Sequence, residues 1–162
     1  MTDKLIFETT EFFRGDAKRI QHFLKVHTLA RLIGAAEGLS GEELLTLEAA
    51  AIVHDVGIKP AEEKCGRCDG KLQEQEGPAV AEPLLRKCGF SDDVVQRVLW
   101  LVAHHHTYDN IDSADYRILV EADFLVNLYE DSAKDDAVRS AMGKFFRTET
   151  GIRLCKTFFG IQ

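Results

Sequence analysis

The stretch "AAAIVHDVGIKP" sets His54 and Asp55 side by side where an apolar helical run stops, just before Gly57 breaks it. Polar groups at the end of so hydrophobic a segment are costly unless a partner satisfies them. That partner is another side chain or a metal ion. His27, in "FLKVHTLARLIG", follows Phe23 by one turn and Ile20 by two, on an inward-facing stripe. Asp123, in "LVEADFLVNL", extends the stripe of Leu119 and Val120. Three helices thus each aim a ligand-type side chain inward, and Asp55 joins them. Two imidazoles and two carboxylates suit a divalent cation, with Mn, Fe, Co, Ni, Zn and Mg as the candidates. Coordination positions left open on such an ion go to water and substrate, as in metal-assisted hydrolysis.

A second cluster, "VAHHHTYDN", ends a later helix. Successive helical positions point about 100° apart, so at most two of its histidines face one site. His105 continues the stripe of Val98, Leu101 and Val102 and is the best inward candidate, with His104 second. His106 is expected at a solvated helix end. Lys59, just past the His-Asp pair, either reaches a substrate phosphate as a flexible point charge or is solvated in a polar loop. Glu76, in "LQEQEGP", reads equally as a base acting through water and as an ordinary capping carboxylate. "CGRC", Cys65 to Cys68, has zinc-knuckle spacing but no matching second pair, and is read as two loop thiols.

The elements that must position these residues read as helices nearly throughout, so an all-α, single-domain helical bundle is expected, with a core over about residues 16–130 and C-terminal helices over 131–162. Asp16 is a plausible cap for a helix ending near Gly38. "SGEE" from Ser40 opens the next helix as a capping box, and Gly57 fits a left-handed exit from it. Residues 59–77 are polar and glycine-bearing and read as a long loop, with Pro78 at a first helical position. The formal net charge of −7 argues against a large nucleic-acid or anionic-membrane surface, though not against a small phosphorylated substrate. No export signal or spanning segment is evident, so a cytoplasmic location is expected; oligomeric state leaves no readable mark, a homodimer through a helical face being one option.

His27, then His54 with Asp55, then Asp123, in that order and each on an inward helical position, resemble the HD superfamily of metal-dependent phosphohydrolases over about residues 16–130. The resemblance implies an all-helical bundle, a divalent metal held by those four residues, and hydrolysis of phosphate esters, usually of nucleotides. Some members place an extra histidine where His104 and His105 stand, as a second-metal ligand or a phosphate contact. Several dinuclear relatives supply another histidine earlier. Here none lies between His54 and His104, which weakens a two-metal site. The expected mechanism is therefore one-metal hydrolysis, with Asp55 or Glu76 taking a proton and His104 or His105 holding phosphate with Lys59. The competing readings are a dinuclear-iron oxygenase of the same superfamily and a non-catalytic nucleotide-binding module.

Overall fold

The computed structural model describes all 162 residues. Nine helices follow one another without a strand: α1 (Thr2–Phe12), α2 (Ala17–Ala36), α3 (Gly41–Val53), α4 (Ile58–Cys65), α5 (Gly70–Cys88), α6 (Asp92–Val102), α7 (Ala114–Glu130), α8 (Asp135–Phe145) and α9 (Glu149–Phe159). No helix is long and apolar enough to cross a membrane.

The central element is α3, where Thr46, Leu47 and every residue from Ala49 to Val53 are buried. A helix apolar on all sides belongs inside a bundle, and α3 packs against α1, α2, α6 and α7. On α2 the buried stripe is Phe23, Val26, Ala30 and Ile33, which seats that helix between α3 and α7. Burying Phe23, Leu47 and Ile52 stabilises the bundle by about 2 kcal/mol each. One hydrophobic cluster runs from Leu5 to Ile161. The ends of α2 are set as read: the Asp16 carboxylate accepts the N–H of Arg19 at 3.1 Å, and Gly38 takes φ +91° just beyond the helix.

Four local expectations are corrected. Residues 59–77 are mostly helical rather than a loop, supplying α4 and the first half of α5. Pro60, third in α4, lacks only an N–H that the first turn leaves unpaired anyway. Pro78 and Pro83 lie within α5, not at its start. Each costs about 3 kcal/mol in a helix interior, and the buried stripe Gly77, Ala81, Leu85 and Cys88 offsets this by packing on neighbouring helices. Gly57 has φ −68°, so it is not a left-handed exit, and Ser40 makes no side-chain capping bond.

The connection from α6 to α7 is held firmly. Arg97 grips both Asp115 oxygens at 2.8 Å and lies 4.6 Å over the Trp100 ring. The Tyr116 hydroxyl reaches the carbonyls of His104, at 2.5 Å, and Thr107. Those two contacts fix the turn that carries His104, His105 and His106.

Candidate metal centre

Four helical elements deliver side chains to one buried point. His54 sits in the turn after α3, where its Nδ1–H donates to the Ala51 carbonyl at 2.9 Å. His105, in the turn after α6, donates from Nδ1 to Val102 O at 2.8 Å. His22, on α2, donates from Nδ1 to Glu130 Oε2 at 3.0 Å. A carbonyl or carboxylate can only accept, so in each ring Nδ1 carries a proton and Nε2 is the nitrogen facing inward, protonated in the imidazolium and bearing a lone pair in the neutral ring. What those nitrogens face are carboxylates. His22 Nε2 is 3.1 Å from Asp123 Oδ1 and 3.4 Å from Asp55 Oδ2. His54 Nε2 is 3.5 Å from each of those oxygens. Asp55 bridges, because its other oxygen lies 3.5 Å from His105 Nε2.

Lone pairs facing carboxylates repel one another unless positive charge lies between them. The protonation behaviour has the same cause. Burial pushes the His54 imidazolium down, yet the charges of Asp55 and Asp123 outweigh it and raise its pKa to about 9. Burial pushes Asp55 up, yet the charge on His54 and the nearby His105 imidazole bring it down to about 2. Asp123 is likewise held below the ordinary carboxylate range, against burial, by His22 and His54. A cation satisfies the same demand. His54 Nε2 and His105 Nε2 are buried without any hydrogen-bond partner. A tetrahedral ion with bonds of about 2.1 Å separates its ligand atoms by about 3.4 Å, which matches the 3.1–3.5 Å spacings. The residues present therefore fit a divalent metal. His22, His54 and Asp123 form one donor group, and Asp55, His105 and His106 form another. The Nδ1 bonds of His22, His54 and His105 supply the outer support that orients metal-binding imidazoles.

The structure brings His54, Asp55, Asp123 and His105 together, and corrects the remaining site expectations. His27 is not at the centre: its Nε2 is 2.9 Å from Glu48 Oε1, on the side of α2 that faces α3. His22 stands in the place expected of His27, beside His54, Asp55 and Asp123. The two lie about 140° apart around the helix, flanking opposite edges of the Phe23–Val26–Ala30 stripe, and only the His22 edge faces α7. Lys59 donates to Phe12 O at 3.2 Å and lies over the Phe12 ring, away from the centre. Glu76 pairs with Lys64 instead of facing the site. The same helix turns Gln73 and Glu74 to the histidine segment, Gln73 Oε1 to His106 Nε2 at 2.8 Å and Glu74 Oε1 to the His106 N–H at 3.0 Å. His104 stacks on Trp100 at 4.2 Å and bonds its carbonyl, so it points outward. His106, read as solvated, is half-buried with its ring 4.1 Å from that of His105. Burial and the neighbouring His105 charge lower its pKa to about 4.

A cavity of about 320 Å³ opens onto the centre between α2, α7 and the start of α5. An all-helical bundle enclosing a buried His–Asp centre beneath an open cavity defines a class of metal-binding proteins. The HD domain model matches residues 19–136, most of the chain, and the chain belongs to that family. HD domains bind divalent metals, in keeping with the two donor groups of this centre. The crystal structure of a predicted HD superfamily hydrolase from an uncultured Thermotogales bacterium is similar, with a TM-score of 0.70 over 98% of this chain and 84% of that one. At 24% identity the likeness is one of fold. No curated protein matches the chain.

Proposed function

We propose that the protein hydrolyses a phosphate ester of a small metabolite, nucleotides included. The observation that carries this reading is the pair of buried, unpartnered nitrogens, His54 Nε2 and His105 Nε2, on either side of the Asp55 carboxylate. His22, His54, Asp55 and Asp123 would hold a divalent cation there, which would supply Lewis-acid chemistry, acidifying the attacking water and polarising a phosphoryl oxygen. Asp55, kept anionic by its neighbours, is placed to accept a proton. His105 and His106 face the far side of Asp55 and orient the phosphoryl group.

The second donor group of Asp55, His105 and His106 favours a companion reading in which a second ion would be held beside the first. Metal analysis separates the cases. One ion per chain leaves His105 and His106 as phosphate contacts, whereas two irons with an oxygen-dependent reaction mark an oxygenase.

The direct test is orthophosphate release from nucleoside mono-, di- and triphosphates and from small phosphate monoesters, with Mn or Co added. Turnover is expected, falling at least about 100-fold in His54→Ala and Asp55→Ala. Failure of every ester to turn over sinks the reading, as does an unchanged rate in those variants.

A further inference from the structure

The cavity wall narrows the substrate class, and the narrowing rests on the phosphohydrolase reading above. At about 320 Å³ the cavity lies at the lower end of the roughly 300–1,000 Å³ of small-molecule sites. No Phe, Tyr or Trp lines it, and its only apolar lining is Ile58 and the Cys68 thiol. A nucleobase gains about 1–3 kcal/mol from stacking on an aromatic face, and the imidazoles here have little face to give. The His106 ring is covered by His105 and by Gly70, where a Cβ would come within 2.7 Å of it. His22 packs against His54 with ring centroids 5.4 Å apart.

Charge argues in the same direction. Asp16, Asp55, Glu62, Asp123 and Glu130 all line the cavity. Against these carboxylates stand two cations, Lys18 and Arg19. A di- or triphosphate tail would meet acidic side chains beyond its first phosphoryl group. One phosphoryl group is well served. Arg19 precedes His22 by three residues on α2, about 4.5 Å along the axis and on nearly the same face. Its guanidinium is fixed by Asp16 at 2.8 Å and Glu62 at 2.6 Å. Asn127, one turn past Asp123 on α7, and Gln73 from α5 add carboxamides to the wall, and a carboxamide both donates to and accepts from hydroxyls.

We propose that the substrate is the phosphomonoester of a small, polyhydroxylated, non-aromatic compound of the sugar- or polyol-phosphate class. Arg19 orients its single phosphoryl group, and Asn127 and Gln73 read its hydroxyls. Water adds at phosphorus and the P–O bond to the alcohol breaks. The leaving oxygen takes up a proton equivalent to the one the water gives up, so the products are orthophosphate and the free polyol.

The test uses the full chain loaded with Mn, and pentose, hexose and glycerol monophosphates against nucleoside mono- and triphosphates. Orthophosphate release and the rise in melting temperature are read in parallel. The best polyol phosphate is expected to exceed the best nucleotide at least ten-fold in kcat/KM. Asn127→Leu is expected to lower the ratio of its kcat/KM to that of methyl phosphate about ten-fold. A nucleotide as best substrate overturns this inference and leaves the phosphohydrolase reading standing. A polyol phosphate that raises the melting temperature without being cleaved supports the ligand class and sinks that reading. Absence of both responses for every polyol phosphate overturns the inference.

Discussion

Gly57 and Gly77 pass each other backbone to backbone. A Cβ built on Gly57 would lie 2.3 Å from the Gln73 carbonyl oxygen and 2.8 Å from the Gly77 nitrogen, and one on Gly77 would lie 2.5 Å from Val102 Cγ1. The turn carrying His54 and Asp55 is therefore pressed against α5, and α5 against α6, with no room for a side chain at either glycine. This contact joins the two segments that bring Asp55 and His105 together.

Gly57→Ala is accordingly expected to cost about 2 kcal/mol, because main-chain atoms of α5 must move to admit the methyl group. For a chain of this size that lowers the melting temperature by about 4–8 °C. Metal affinity falls as well, since Asp55 is two residues away. Thermal unfolding with chelator and with Mn checks both effects, and an unchanged melting temperature would show that α5 shifts without cost.

His22→Ala and His27→Ala should separate cleanly. The first removes a donor at the centre and is expected to abolish stoichiometric metal binding. The second breaks the 2.9 Å pair with Glu48 and is expected to leave the metal content intact, with a small loss of stability. Elemental analysis of the two purified variants decides. Metal retained in His22→Ala and lost in His27→Ala would reverse the assignment.

That contrast shows where the sequence was legible. The period of the apolar residues exposes the bundle, the caps of α2, and the inward placement of His54, His105 and Asp123. It cannot choose between His22 and His27, because both flank one buried stripe. The choice depends on whether α3 or α7 lies along each edge, which is a matter of tertiary packing. The polar segment 59–77 misleads for a related reason: helices holding proline and glycine, here α4 and the first half of α5, are stabilised by neighbours, not by their own composition. Glu121 went unnoticed altogether. A lone carboxylate within the apolar run of α7 was the available signal, and the structure shows it fully buried, accepting the N–H groups of Arg147 at 2.6 Å and Thr148 at 2.9 Å. It ties the start of α9 to α7, a structural task that no chemical motif announces.

Glu130 supports the centre without lying in either donor group. Its carboxylate accepts from His22 Nδ1 at 3.0 Å and from Lys25 at 2.6 Å. Such a partner fixes the tautomer and raises the basicity of the ligating imidazole. Glu130→Gln keeps an acceptor but loses the charge, and Glu130→Ala loses both. Metal affinity measured by chelator competition is expected to fall about ten-fold and about 100-fold respectively. Equal affinities in the two variants would mean that charge contributes nothing there.

The clamp between Arg97 and Asp115 gives a prediction in pH. Burial pushes the Asp115 carboxyl up, but the hydrogen bonds from Arg97 and Ser113 and the Arg97 charge outweigh it and hold the pKa below 3.8. A depressed acid contributes stability that is present above the unfolded value of about 3.9 and is lost as pH falls through the folded value. Arg97→Met keeps the packing against Trp100 but leaves the carboxylate half-buried without its cation. A loss of about 2 kcal/mol is expected at pH 7. The deficit should shrink as pH falls toward the depressed folded value of Asp115 in the wild-type protein, below which the carboxyl is protonated in both proteins. Urea unfolding of both proteins with chelator, from pH 2.5 to 7, measures the difference directly. A deficit that stays constant across that range would assign the whole effect to lost packing on Trp100 and none to the ion pair.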